Sequence, residues 1–159
     1  MSQSSNARSV KVGATPYRVM LARKPAHLRA AKRIDRECFR RDVEPALWDQ
    51  SVTWIVEHIP TGHVVGFACL RVVATENVVY LSRAGVTPKH RGKGLQRRLI
   101  QARMVYARRK GWGAITYTIR ANPKSVNNLI ACGFRYYEPQ HAWAGREMLY
   151  WYRGKGKLR

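Results

Sequence analysis

The sequence predicts a single α/β domain of the mixed, α+β kind, with helices flanking a mostly antiparallel sheet. Three observations carry this. The 159 residues are 45% hydrophobic and 10% aromatic, which suits one domain with a proper core. β-Branched and aromatic runs separated by short turns fill the middle of the chain. Segments with apolar residues at helical spacing precede, interrupt and follow those runs.

Residues 1–14, MSQSSNARSVKVGA, are polar and small with scattered charge, and read as a flexible arm before a domain at 15–153. PYRVMLA, 16–22, alternates like a strand. Pro25 suits the first turn of a helix in which Leu28, Ala31, Ile34 and Cys38 recur on one face. The opposite face carries Arg29, Lys32, Arg33, Arg36 and Arg40. VEPALWDQ, with Glu44 and Pro45 near its start, reads as a short second helix.

From Val52 the pattern changes. SVTWIVEHI, HVVGFACLRVVAT and VVYLSRAGV are separated by PTG and EN, which is the signature of an antiparallel meander with Trp54 in its core. A helix from Gly94 to Lys110 follows, with Leu95, Leu99, Ala102 and Tyr106 on one face. GAITYTIRA is a further strand. NPKSVNNLIACGF is a helix that starts near Asn122, with Pro123 at its first position and Gly133 just past its end. FRYYEP and GREMLYWYRG close the domain as two strands, and residues 154–159 form a basic, mobile tail. The order is β-α-(α)-β-β-β-α-β-α-β-β.

The charge is extreme: Lys+Arg 30 against Asp+Glu 9, a net +21. That predicts attraction to polyanions, whether nucleic acid, an anionic membrane, acidic protein or a phosphorylated cofactor, and says nothing about fold. Cys38, Cys69 and Cys132 are an odd number without CxxC spacing. They argue against a disulfide framework and a zinc site, and suit a reducing cytoplasm. The first residues lack an apolar signal-peptide region, and no apolar run approaches the roughly 20 residues that span a bilayer. No membrane partner is expected, and nothing specifies an oligomeric state.

The stretch VTPKHRGKGLQRRLI, 86–100, joins a strand to a helix. Glycines let backbone N–H groups approach a ligand, and the unpaired N–H groups of a helix start attract anions. Arg91 and Lys93 add charge. The loop is neither GxxxxGK[ST] nor GxGxxG, since Arg97 stands three residues after Gly94. On spacing alone it is either a phosphate-binding turn or a glycine turn with a solvated basic face.

Val86 through Leu95 follow the pattern hydrophobic-x-Pro-x-x-Arg-Gly-x-Gly-Leu, with Lys89 at a position usually held by Gln or Arg. Downstream, Asn122 and Ser125 precede a helix that ends in Gly133-Phe134. With these two blocks, residues 16–153 resemble the GCN5-related N-acetyltransferase (GNAT) family. The resemblance implies acetyl-CoA as cofactor and direct acyl transfer to an amine. It implies that backbone N–H groups of Arg91, Gly92, Lys93, Gly94, Leu95 and Gln96 hold the CoA pyrophosphate. It implies that Ala84, Gly85 and Val86 pair with the pantetheine arm, splaying from the strand at 114–120. Asn122 and Ser125 then line the cofactor's other side, and a backbone N–H near Val86 polarises the thioester carbonyl.

The chemistry is less marked. Many members of the family donate a proton to the leaving thiolate from a Tyr that corresponds here to Leu129, and the position of an occasional Glu base corresponds here to Tyr80. Ser125, Tyr117 and Tyr80 are the catalytic candidates. Tyr136 and Tyr137, just after Gly133-Phe134, are further candidates, and so are Glu76, His63 and His141 on the acceptor side. His27 reads as a surface histidine, Cys132 as a small core residue, and Trp143 either as local packing or as a stacking surface for a planar substrate.

The acceptor is either a small or protein amine, or an amine carried on nucleic acid such as an aminoacyl-tRNA or a modified base. The basic residues of the first helix, Arg97, Arg98, Arg103, Arg108, Arg109, Lys110 and the tail exceed what a cofactor needs, and favour nucleic acid. The alternative is a non-catalytic nucleic-acid-binding module on the same scaffold, which the Leu at 129 supports and the intact glycine loop opposes.

Overall fold

Alternating apolar residues in the middle of the chain build a seven-stranded sheet, whose geometry a computed structural model describes over residues 14–39 and 46–154. The strands are β1 (Tyr17–Leu21), β2 (Val52–His58), β3 (His63–Val73), β4 (Val78–Val86), β5 (Gly113–Ile119), β6 (Arg135–Tyr137) and β7 (Met148–Arg153). The helices among the described residues are α1 (Pro25–Cys38), α2 (Leu95–Arg109) and α3 (Pro123–Ala131). The strands lie in the order β1-β2-β3-β4-β5-β7-β6. Every neighbouring pair is antiparallel except β4 and β5, which run parallel because α2 crosses between them. The predicted order of elements and the β2-β3-β4 meander are both present.

The two faces of the sheet have separate cores. Ala31 and Ile34 of α1 pack on Ile55, Phe67 and Cys69. On the other face Leu95, Leu99, Ile100, Met104 and Ala107 of α2 pack on Trp54, Val56, Ala68, Leu70 and Leu81. Leu129, Cys132, Phe134 and Trp151 extend that second core toward β7. A fully buried Leu or Ile contributes roughly 1.5–3 kcal/mol, so these two layers supply most of the favourable energy. Trp54 is core, as expected, and meets Tyr106 edge-on at 5.8 Å.

Several expectations change. The second helix of VEPALWDQ is a single 3₁₀ turn over Trp48–Gln50, and Glu44 and Pro45 lie outside the described residues. A three-residue run without side-chain capping has too few hydrogen bonds to extend. Residues 1–13 of the arm, Arg40, and residues 155–159 of the tail also lie outside the described residues. Arg29, Lys32, Arg33 and Arg36 are exposed on α1, as their spacing predicts.

Arg103 is not a surface charge. It is buried, donating from Nε to the Leu99 carbonyl at 3.2 Å and from Nη1 to the Cys69 carbonyl at 3.1 Å. Burial pulls its pKa down to about 10. Its position four residues after Leu99 puts it on the apolar stripe of α2. His27 is half-buried rather than fully exposed, and its Nδ1 is buried without a hydrogen-bond partner.

The start of α3 shows how short motifs fix local structure. Asn122 Oδ1 accepts the Ser125 N–H at 3.1 Å and caps the helix, and Pro123 takes the first position. Gly133, with φ 81°, turns the chain into β6. Asn122→Ala is expected to cost about 1 kcal/mol, lowering the melting temperature by about 2–4 °C in a thermal scan.

Candidate functional site

The site exists because two parallel strands stop pairing. β4 and β5 match only at Val78–Gly113, Val79–Ala114 and Tyr80–Ile115. One residue further, the Thr116 hydroxyl donates to the Leu81 carbonyl at 2.8 Å, and the register ends there. On its other side β4 carries a bulge: between Ala68 and Leu70 of β3 the partner strand runs from Ala84 to Leu81, one residue longer. A bulge bends and twists the strand that carries it. Beyond it opens a cleft of about 520 Å³. Its walls are β4 and β5, and Ile100 of α2 and Leu129 of α3 contribute apolar surface.

The sequence candidates divide cleanly. Tyr80, Tyr117 and Ser125, the three catalytic candidates, all line this one cleft. So do Ala84, Gln96 and Asn122 among the cofactor candidates. Gly85 and Val86 continue β4 toward the glycine loop. Gly85 has a packing reason for lacking a side chain, since a Cβ there would sit 3.0 Å from both Cys38 Sγ and Phe67 Cε1. Glu76, His63 and His141 are exposed and do not line the cleft. Tyr136 is exposed and packs edge-on against Trp151, on the α3 side of the sheet.

The loop at the head of α2 is held from behind. The Thr87 N–H donates to the Val65 carbonyl at 2.9 Å, and Pro88–His90 forms one 3₁₀ turn. Arg91 folds back, donating from Nε to the Val86 carbonyl at 2.9 Å. His90 Nδ1 and the Tyr17 hydroxyl are 2.9 Å apart. Partial burial, His58, Lys93 and Lys89 all hold His90 below the usual histidine pKa. Gly92 and Gly94 have φ of 73° and 72°, conformations that L side chains rarely adopt. A Cβ at either would meet nothing within 4 Å, so the space in front of the loop is open. Gly94 caps α2 without any side-chain bond. The first-turn N–H groups of α2 have no intrahelical partners, and they lie at the positive end of its dipole.

Around the mouth the charges are positive. Arg71 and Arg83 line the cleft, and among the described residues no Asp or Glu does. Arg83 Nη1 pairs with Asp35 Oδ1 of α1 at 3.1 Å, both largely buried, and its guanidinium lies 4.5 Å from the Phe39 ring centre. The Arg71 guanidinium lies 5.2 Å from the Tyr80 ring centre. Tyr80 stacks on Tyr117 at 6.2 Å, and burial, then the Tyr117 phenol, push its pKa well above the ordinary value. Tyr80 therefore stays a neutral phenol at physiological pH. Arg71 and Arg83, and the contact of Arg71 with Tyr80, were not legible in the sequence; the only sign was an arginine inside each of two otherwise apolar strands.

Among the described residues no three His, Cys, Asp or Glu side chains gather as a metal site, and no helix is long and apolar enough to cross a membrane. All three cysteines are free.

The model described as "Acetyltransferase (GNAT) family" matches residues 22–134. No curated protein matches this sequence. The fold is similar to that of the ribosomal-protein-S18-alanine N-acetyltransferase from Escherichia coli, at TM-score 0.67 and 15% identity over 90% of this chain and 99% of that one. It is similar to a GCN5-related N-acetyltransferase from Kribbella flavida, at TM-score 0.66 and 23% identity over 87% and 98%. It is also similar to a nourseothricin acetyltransferase, at TM-score 0.66 and 20% identity over 87% and 98%.

Proposed function

This chain belongs to the acetyltransferase (GNAT) family, whose members use acetyl-CoA, and from that membership we propose that it acetylates a primary amine carried on a nucleic acid. The observation that carries the acceptor's chemistry is the cleft itself, lined by Arg71 and by the Asp35-paired Arg83, with no carboxylate among its described lining residues. Such a mouth repels a polycation and admits an amine attached to an anionic carrier. The net charge of +21 points the same way. Amines on acidic proteins are the second anionic class, and an aminoacyl-tRNA or a modified base are the nucleic-acid forms.

The residues present fit the cofactor. The Gly92–Gly94 loop leaves open space before the start of α2, which has no side-chain cap, and this suits a pyrophosphate. In this reading the backbone N–H groups of Arg91, Gly92, Lys93, Gly94, Leu95 and Gln96 bind it, and the Arg91 side chain braces the loop rather than reaching the ligand. β4 at Ala84, Gly85 and Val86 is paired with β3 on one side only, and the edge that has parted from β5 offers its backbone to the pantetheine amides. Asn122 and Ser125 close the opposite wall. Acetyl-CoA supplies an activated thioester acyl group.

The chain's own chemistry is then positioning and proton handling. A β4 amide near Val86 offers a hydrogen bond to the acyl oxygen. The Ser125 hydroxyl, on the first turn of α3, is the candidate donor to the thiol side. Tyr80 and Tyr117 are candidates on the amine side, and Tyr80, kept neutral by burial, can hydrogen-bond but does not act as an anionic base. Incubation with radiolabelled acetyl-CoA and fractionated cell extract tests the reading. Label is expected in the nucleic-acid fraction and absent after nuclease treatment. Label confined to small polyamines contradicts it.

A further inference from the structure

The α1 face of the sheet changes character at β4. Over β2, β3 and β4 the helix α1 covers it. Beyond, successive strands place aromatic rings on that same face. Leu70 belongs to the α2 core, so Arg71 points the other way, and Tyr80 stands opposite Arg71. Tyr117 stands opposite Tyr150, Tyr137 opposite Tyr150, and Arg135 opposite Tyr152. The rings form two groups, Tyr80 on Tyr117, and Tyr137 against Tyr150 and Tyr152. Trp143, from the connection between β6 and β7, joins them, edge-on to Tyr80 at 5.3 Å and to Tyr117 at 5.4 Å.

Trp143 is held in place without being buried. Its Nε1 donates to the Tyr137 hydroxyl at 3.4 Å, and its ring meets Tyr150 at 5.2 Å. The loop that carries it is pinned by Tyr150, whose hydroxyl donates to the Gly145 carbonyl at 2.8 Å and accepts the Ala144 N–H at 3.0 Å. Yet 43% of Trp143 remains exposed. An indole fixed by partners and left open to solvent presents a ready π-face. The bases near it are Arg71 on Tyr80 and exposed Arg135 and Arg146, while Arg83 in the adjoining cleft is paired with Asp35. The acids are Glu76, which after burial and Tyr150 helps raise the pKa of Tyr137, and exposed Glu138 and Glu147 on the connection that carries Trp143.

We propose that this aromatic face, centred on Trp143, stacks the bases of a single-stranded RNA whose amine-bearing end enters the cleft beside Tyr80. The surface rests on the acceptor reading above and names how that acceptor is held. Aromatic rings interleaved with arginines suit unpaired bases joined by phosphates, and do not suit a duplex, whose bases are already stacked on each other. RNA is the nucleic acid that presents such unpaired ends and loops. Strand register brings Tyr80, Tyr117, Tyr137 and the buried Tyr150 together from four different strands, and the β6–β7 connection adds Trp143.

The test is fluorescence anisotropy of a labelled, unstructured RNA dodecamer with the full chain, Trp143→Ala and Trp143→Phe, at several salt concentrations. Wild type is expected to bind, with quenching of tryptophan fluorescence. Trp143→Ala should weaken binding about 5- to 100-fold, with an unchanged salt slope, because stacking and phosphate contacts are separate contributions. Trp143→Phe should recover most of the loss. Equal affinity in wild type and Trp143→Ala overturns the proposal. So does equal binding of duplex DNA, tighter binding of DNA of the same single-stranded sequence, or a dimer in sedimentation that Trp143→Ala dissociates, which assigns the face to a second copy. A melting-temperature rise with acetyl-CoA in the same three proteins separates the two readings. A normal rise without RNA binding removes this surface and keeps the enzyme, whereas RNA binding without the rise removes the enzyme and keeps the surface.

Discussion

Replacing Gly94 with glutamate abolishes acetyl-CoA binding, with no heat detectable by calorimetry at cofactor concentrations that saturate the wild type. Two effects combine. Gly94 has φ 72°, and a residue with a Cβ pays roughly 1–2 kcal/mol to hold that conformation. The carboxylate then projects into the open space before α2, where a pyrophosphate would sit. Two like charges a few ångströms apart in partly desolvated surroundings repel by several kcal/mol, on the order of a thousandfold in affinity. Gly94→Ala separates the causes, since it carries the backbone strain without the charge. It is expected to melt a few degrees lower and to bind cofactor only a few-fold more weakly. Unchanged affinity in Gly94→Glu means that the loop holds no pyrophosphate.

Phe67→Ala destabilises the domain by about 3–5 kcal/mol, which lowers the melting temperature on the order of 10 °C. Phe67 is wholly buried beneath α1, packed with Ile55 and Cys69 and 5.5 Å from the Trp48 ring. Its Cε1 also lies 3.0 Å from where a Cβ on Gly85 would sit, so it supports the end of β4 from below. The loss has a local part and a site part. A cavity at Phe67 frees β4 just before the glycine loop, so acetyl-CoA affinity is expected to fall along with stability. A chemical denaturation curve and a cofactor titration on the same protein measure both. A loss under 1 kcal/mol contradicts the assignment of Phe67 to the core.

Much of this was legible in sequence because the signals are local. Asn122-Pro123 at one end of α3 and Gly133 at the other act through caps and φ angles that involve neighbouring residues. The glycine loop is recognisable for the same reason, since Gly92 and Gly94 need positive φ wherever the rest of the chain goes. The β2-β3-β4 meander was readable because short turns force sequential strands to pair.

What escaped reading depends on register or on three-dimensional packing. By residue type alone Arg103 reads as a basic surface residue. Its i+4 distance from Leu99 is the better guide, and its donors satisfy two backbone carbonyls. Tyr80 and Tyr117 are legible singly as site residues, but their stacking follows from parallel pairing of β4 and β5 across α2, which no local pattern encodes. Trp143 reaches them from a loop between two short strands, so its position follows from tertiary packing alone. The ion pair of Arg83 with Asp35 likewise joins a strand to a helix 48 residues earlier.

The most direct measurement is the melting temperature of the wild-type protein as acetyl-CoA is added. At about 100 times the dissociation constant, selective binding to the folded state adds roughly 2.7 kcal/mol, a rise on the order of 5–10 °C for a domain of this size. The account predicts that rise, and predicts that Gly94→Glu lacks it while Trp143→Ala keeps it. A wild-type melting temperature that does not move at millimolar acetyl-CoA contradicts the account.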